Sequence, residues 1–202
     1  MKFPLLKISS TVRPFYVLIA VLAVATVLVS CSSDYPTPVY VESPECEDLT
    51  YDVLPVTNLT LSTDGLEVSL QAEVANKSSE RTQGLMCRES IPVGTGMLFT
   101  YQTDRTNGFW MYNTYVPIDI LYIDQAGHVV DKLTMSPCIR ESENESDDDW
   151  KVKCATEANN YVPSEKWRYV LELPADWLID QNIGDSVALT MNVSWPDLEV
   201  EE

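Results

Sequence analysis

The sequence predicts a mostly β domain, a compact antiparallel β sandwich or barrel with one or two short helices. Three observations predict it. Apolar residues recur at every second position through Leu66, Val68, Leu70, Ala72 and Val74, and again through Val187, Leu189, Met191 and Val193; this is the period of a strand with one buried face. Turn signals punctuate these runs at Thr63-Asp64-Gly65, Asp124-Gln125-Ala126-Gly127 and Gly184-Asp185. Within the same region the period is two rather than the 3.6 of an amphipathic helix.

The elements follow in chain order. Lys2, Lys7 and Arg13 precede the apolar run Phe15–Val29, which closes on Leu28-Val29-Ser30-Cys31. Basic, then apolar, then small residues and a cysteine is the order of a lipoprotein export signal. At ~1.5 Å per residue the run spans about 22 Å as a helix, short of a hydrocarbon core about 30 Å thick. Residues 1–30 are therefore read as a lipoprotein signal peptide and Cys31 as the lipidated residue. Several acyl chains on one residue hold firmly where a single chain binds marginally. Ser32, not Asp, follows the cysteine, which favours the outer membrane if the host has two.

Residues 31–62 read as an extended tether, with Pro36, Pro38, Pro44 and Pro55 among polar residues; proline interrupts helix and sheet alike. A single β-rich domain takes 63–196, and 197–202 form an acidic tail. After Leu66–Val74 come two short apolar segments, Met97–Tyr101 and Phe109–Tyr112, with one helical turn expected before them at Ser79–Gly84. Ile118, Ile120 and Tyr122 alternate with Asp119, Leu121 and Ile123, so this strand is apolar on both faces and predicted to be central. The turn at 124–127 leads into His128–Leu133 as a hairpin. Tyr169, Leu171 and Leu173 mark another strand, and Trp177-Leu178-Ile179 a short helix between Pro174 and Gly184.

With Cys31 lipidated, Cys46, Cys87, Cys138 and Cys154 remain, an even number that suits disulfides in an oxidising space. Cys138 and Cys154 bracket one acidic loop and are the predicted pair, closing a loop worth roughly 3 kcal/mol; Cys46–Cys87 follows by elimination. The loop residues Glu141, Glu143, Glu145, Asp147, Asp148 and Asp149 lack the spacing of a calcium loop and read as solvated. The spacing of the cysteines and the single histidine, His128, point to no metal or other cofactor.

The chain carries a net charge of −18; without residues 1–30 it has 10 basic against 31 acidic residues, a net of −21. Such a surface repels nucleic acid, which is excluded as a partner. The expected partners are a membrane, through lipid at Cys31, and an unknown small molecule or envelope protein.

From Val74 onward the ordered pieces Gly84-Leu85-Met86 with Arg88, Gly96-Met97-Leu98-Phe99, Phe109-Trp110-Met111, Asn113-Thr114, Pro117-Ile118-Asp119-Ile120, Ile123-Asp124, Pro137-Cys138, Tyr169-Val170-Leu171-Glu172 and Gly184-Asp185 stand out. Together, over roughly Leu66–Val193, the chain resembles the domain-of-unknown-function family 192, small bacterial and archaeal proteins that are often exported. The resemblance implies a compact, mostly β fold and supplies no activity. Tyr112 and Cys87 depart from it; Tyr112 stands where the family usually has Lys.

Within this segment Met86, Met97, Met111, Phe99, Phe109 and Trp110 form a soft, aromatic group that suits either a core or an adaptable pocket. Arg88, Asn113, Thr114, Asp119 and Asp124 are polar among them. Apolar walls with a few convergent polar groups are the make-up of a small-ligand site. The candidate ligand-binding residues are thus Met86, Arg88, Met97, Trp110, Met111, Asn113, Thr114, Asp119 and Asp124, with an internal Arg88–Asp119 ion pair as a further possibility. No catalytic motif is present, and Asp119 and Asp124 are an odd number of residues apart, hence on opposite faces of one strand. The predicted function is a lipid-anchored binding module of the cell envelope. The alternatives are an envelope-acting hydrolase with Asp119 or Asp124 as base and an accessory protein without a ligand.

Overall fold

The computed structural model describes residues 43–194 except 48, 141 and 143. The signal segment 1–30, Cys31, the tether up to residue 42 and the tail 197–202 lie outside the described residues.

Seven strands form one sheet in the order β5-β4-β6-β3-β2-β1-β7: β1 (Val56–Thr63), β2 (Leu66–Ala75), β3 (Thr95–Arg105), β4 (Ile118–Ile123), β5 (Val129–Met135), β6 (Trp167–Pro174) and β7 (Thr190–Val193). Short helices sit between them: α1 (Pro44–Glu47), α2 (Ser78–Gln83), α3 (Asp147–Glu157) and α4 (Trp177–Asp180). The sheet curls into a half-barrel, and its two edge strands touch at one end. There Val129 N donates to Leu189 O at 2.9 Å and Met191 N to Gly127 O at 2.7 Å, with His128 bridging Thr190. Gly127 is required at this seam. Its φ is +93°, and a Cβ would come within 2.6 Å of Met191 O, so any side chain meets both backbone strain and a clash.

The sequence reading stands on the β class and the single domain, and the structure corrects three details. The β2–β3 pair is parallel, because the connection through α2 is long enough to cross over the sheet. Residues 56–63 are not tether but β1, paired along its whole length with β2 (Thr63↔Leu66 to Val56↔Glu73) and flanked by β7 on its other side. The acidic residues 147–149 are not loop. They open α3, where Ser146 Oγ accepts from Asp149 N at 3.1 Å, and three aspartates in the first turn complement the helix dipole.

Side-chain alternation divides the core by sheet face. On one side Leu59, Leu61, Leu70, Ala72, Leu98, Leu121, Ile123, Leu171 and Leu173 pack with Trp177, Leu178 and Met191. On the other, Met97, Phe99, Ile118, Ile120, Tyr122, Trp167 and Val170 are covered by Leu85, Met111, Tyr112 and Trp150. β4 is buried on both faces, as apolar residues on both of its faces predict. Both disulfides form: Cys138–Cys154 ties α3 to the loop after β5, and Cys46–Cys87 ties α1 to the β2–β3 connection.

Candidate functional site

The nine candidate residues separate into several places. Met97 and Met111 are fully buried core residues, and Met86 packs against the same cluster. Asp119 lies on the opposite sheet face from Arg88, so the expected Arg88–Asp119 pair does not form. Asp119 instead accepts from Thr134 Oγ1 at 2.6 Å and from Leu178 N at 2.9 Å, closing the first turn of α4. Asp124 shapes the β4–β5 turn. Its Oδ1 accepts from the backbone of Ala126 and His128, both at 2.8 Å, and its Oδ2 stands 3.1 Å from His128 Nδ1. Thr114 Oγ1 donates to Tyr112 O at 3.3 Å. Asn113 adopts φ 54°, a conformation asparagine tolerates better than most residues. Its carbonyl accepts from Cys87 N at 2.6 Å. Trp110 is 37% exposed and lines a separate groove with Arg81, Tyr101 and Phe109.

Arg88 alone among the nine joins a polar constellation in a cavity. Register places Glu73 of β2 opposite Met97 of β3, Met97 opposite Glu172 of β6, and Glu172 opposite Ile120 of β4. Directly paired residues share a face, so two carboxyls stand in one row with a methionine between them. Arg88, leaving the β2–β3 connection just after the Cys87 disulfide, forms an ion pair with Glu73 Oε2. Glu73 and Arg88 face a cavity of about 250 Å³ whose walls include Val56, Leu85, Ile91 and Pro92. A wider depression of about 540 Å³ continues from it past Tyr51, Glu73 and Arg88. The Tyr51 ring lies 5.6 Å from the Arg88 guanidinium, and its hydroxyl donates to Met86 O at 3.3 Å.

Glu172 is the unusual member. It is 4% exposed, and burial pushes its pKa up to about 8, with only the nearby Arg88 charge acting the other way. At neutral pH it is therefore mostly a protonated acid, able to donate a hydrogen bond or release a proton.

A strap formed by residues 43–54 crosses beside this site. Glu45 of α1 accepts from Lys151 Nζ at 2.6 Å and Tyr112 Oη at 3.2 Å, and faces Asn113 Nδ2 at 3.4 Å. The Lys151 bond foremost holds the Glu45 carboxyl below its usual range.

Sequence reasoning missed Glu45, Tyr51, Glu73 and Glu172. The first two fell in the supposed tether. Glu73 reads as the outward position of an alternating strand. For Glu172 a signal existed: it is a charged residue inside the apolar run Tyr169-Val170-Leu171-Glu172-Leu173. In a strand covered on both faces such a residue has no solvent side.

A family model described as Uncharacterized ACR, DUF192, matches residues 59–189. The chain belongs to the DUF192 family. The match begins in β1, ahead of Leu66, in keeping with β1 as part of the domain. No curated protein matches the chain. Two solved structures share the DUF192 chain's fold. One, from Sinorhizobium meliloti 1021, is described as a candidate transcription regulator; it is 26% identical with a TM-score of 0.56, over 72% of this chain and 98% of that one. The other, a protein of unknown function from Novosphingobium aromaticivorans, is 19% identical with a TM-score of 0.52, over 77% and 99%.

Proposed function

We propose that this DUF192 protein is a lipid-anchored module of the cell envelope that binds a small ligand in the Arg88 cavity. One observation carries the reading: the Arg88–Glu73 ion pair faces a depression walled by Val56, Leu85, Ile91 and Pro92, the chemistry of a small-molecule site. The export motif ending at Cys31 supports the envelope location, and two disulfides are in keeping with an oxidising compartment. The role named for the Sinorhizobium neighbour transfers poorly, because a chain of net charge −18 is repelled by a polyanion. Among catalytic readings, Asp119 and Asp124 are spent on fold hydrogen bonds.

A thermal-shift panel of amines, carboxylates and amino acids tests the binding reading. A bound compound at a hundred times its Kd stabilises by about 2.7 kcal/mol, a rise of several degrees. Arg88→Ala is expected to abolish the rise while the circular dichroism spectrum persists. An undiminished rise in that variant would place the site elsewhere. The anchor is tested separately: Cys31→Ser is expected to move the protein from the membrane fraction to the soluble one, and continued membrane association would refute lipidation there.

A further inference from the structure

Five arginines lie among the described residues. Arg88, Arg140 and Arg168 each form an ion pair with a carboxylate. Arg81 and Arg105 form none among the described residues, although acidic residues outnumber basic ones 31 to 13 in the chain. Both guanidinium groups instead converge on one ring. Arg81 Cζ lies 4.8 Å and Arg105 Cζ 4.9 Å from the centroid of Tyr101. The ring attracts each cation, but two like charges sharing it repel one another, and no carboxylate among the described residues forms an ion pair with either. Arg81 is held in place from behind, with Nη1 donating to Asn76 O at 2.6 Å and Thr100 O at 3.2 Å. Tyr101 is fixed edge-on against Trp167 at 5.1 Å.

Arg81 and Tyr101 line a groove of about 280 Å³ together with Phe109, Trp110, Ala155 and Ala158, and Arg105 stands against the same Tyr101 ring. The two alanines leave space where larger side chains would fill it. Trp110 is the exposed aromatic of the group, at 37%. Trp167, by contrast, is buried.

We propose that this groove is a second binding site, for a small ligand bearing a carboxylate or phosphate on a flat apolar body. The oxyanion would sit at the Tyr101 end of the groove on Arg81, with the Arg105 charge beside the same ring; a guanidinium fork suits both carboxylate and phosphate oxygens, and the body would lie against Trp110 and Phe109. The acidic character of the whole chain does not forbid it. Beyond about 10 Å, repulsion is screened at ~0.1 M salt, and the local pair of cations decides.

Titration calorimetry of the full chain with benzoate, phenyl phosphate and the neutral benzyl alcohol tests the site, with Trp110 fluorescence as second readout. At least one anion is expected to bind saturably, at least tenfold more tightly than the alcohol, with affinity falling as salt rises; which anion wins separates carboxylate from phosphate. Arg81→Gln removes two carbonyl contacts and risks the fold, so Arg105→Gln is the deciding variant; Arg105 is exposed. It should weaken anion binding at least fivefold and leave the alcohol unchanged. No saturable anion binding, equal binding of the alcohol, or unchanged anion affinity in Arg105→Gln would each overturn the proposal.

Discussion

Glu172→Gln is expected to make the protein more stable at pH 8 and to remove most of the decline in stability between pH 5 and pH 8. The carboxyl's ordinary value of 4.5 is raised to about 8 by burial. Between those values the unfolded chain has lost the proton and the folded chain still holds it. Fewer protons are then bound in the unfolded state, so stability falls as pH rises. The contribution is fully present below pH 4.5 and is lost as pH climbs to about 8. At 1.36 kcal/mol per pKa unit the loss is on the order of 4–5 kcal/mol. Of the groups around Glu172, Tyr101 and Tyr122 have pKa values raised above 10 chiefly by burial, outside this window, and Arg88 and Glu73 form an ion pair with each other. Glu45, Glu80 and Asp124 have lowered pKa values, so their contribution is lost only as pH falls through the acid range. A glutamine at position 172 cannot ionise, and its stability should be nearly flat across the window. Urea melts of both proteins at pH 5 and pH 8 decide the matter. Equal slopes would mean that Glu172 is not the buried acid described.

The sheet was legible wherever a strand has one wet face. Leu66–Val74 and Val187–Val193 alternate, and the turns at 63–65 and 124–127 carry the glycines that φ values of +83° and +93° require. β4 was legible for the opposite reason, being apolar on both faces but for Asp119. β1 was not. Val56–Thr63 reads Val-Thr-Asn-Leu-Thr-Leu-Ser-Thr, whose apolar signal is two buried leucines among hydroxyls, and four nearby prolines outweighed it. The parallel β2–β3 pair was equally hidden, because alternation reports which face is buried and nothing about strand direction. α3 was masked by its charges. Its buried face consists of Trp150 and Cys154, too few residues to set a helical period. The candidate site was half legible. Arg88 stood out as a cation in an apolar stretch, but its partner depended on which face each carboxylate took. Asp119 on β4 and Glu73 on β2 turn to opposite faces of the sheet, with β6 and β3 between them, and the sequence alone favoured the wrong one.

Replacing Cys46 and Cys87 together by serine is expected to cost about 4 kcal/mol, because a bridge of sequence separation 41 removes roughly that much loop entropy from the unfolded chain. The Cys138–Cys154 bridge, with separation 16, is worth about 3 kcal/mol on the same reasoning. The two differ more in consequence than in magnitude. Cys138 and Cys154 are 4% and 0% exposed and join elements that Trp150 also holds, its Nε1 donating to Cys138 O at 2.9 Å. Cys46 and Cys87 are half-buried, and their bridge anchors a strap otherwise held by Leu54 packing on the core and by polar contacts, Lys151 and Tyr112 on Glu45, Tyr115 Oη on Ser43 N at 3.1 Å, and Tyr51 on Met86. Exposed ion pairs of this kind contribute a kcal/mol or less each. Without the bridge the strap is expected to detach while the sheet remains folded. The Tyr51 ring would then leave the Arg88 guanidinium, widening the entrance to the cavity. Hydrogen exchange should accordingly rise across residues 43–54 and 86–88 and stay unchanged in β3, β4 and β6. In the Cys138/Cys154 double-serine variant the loss should instead spread through α3 and the core beneath it. Protection of the strap that survives loss of Cys46–Cys87 would show that its polar contacts, not the covalent link, hold it over the site.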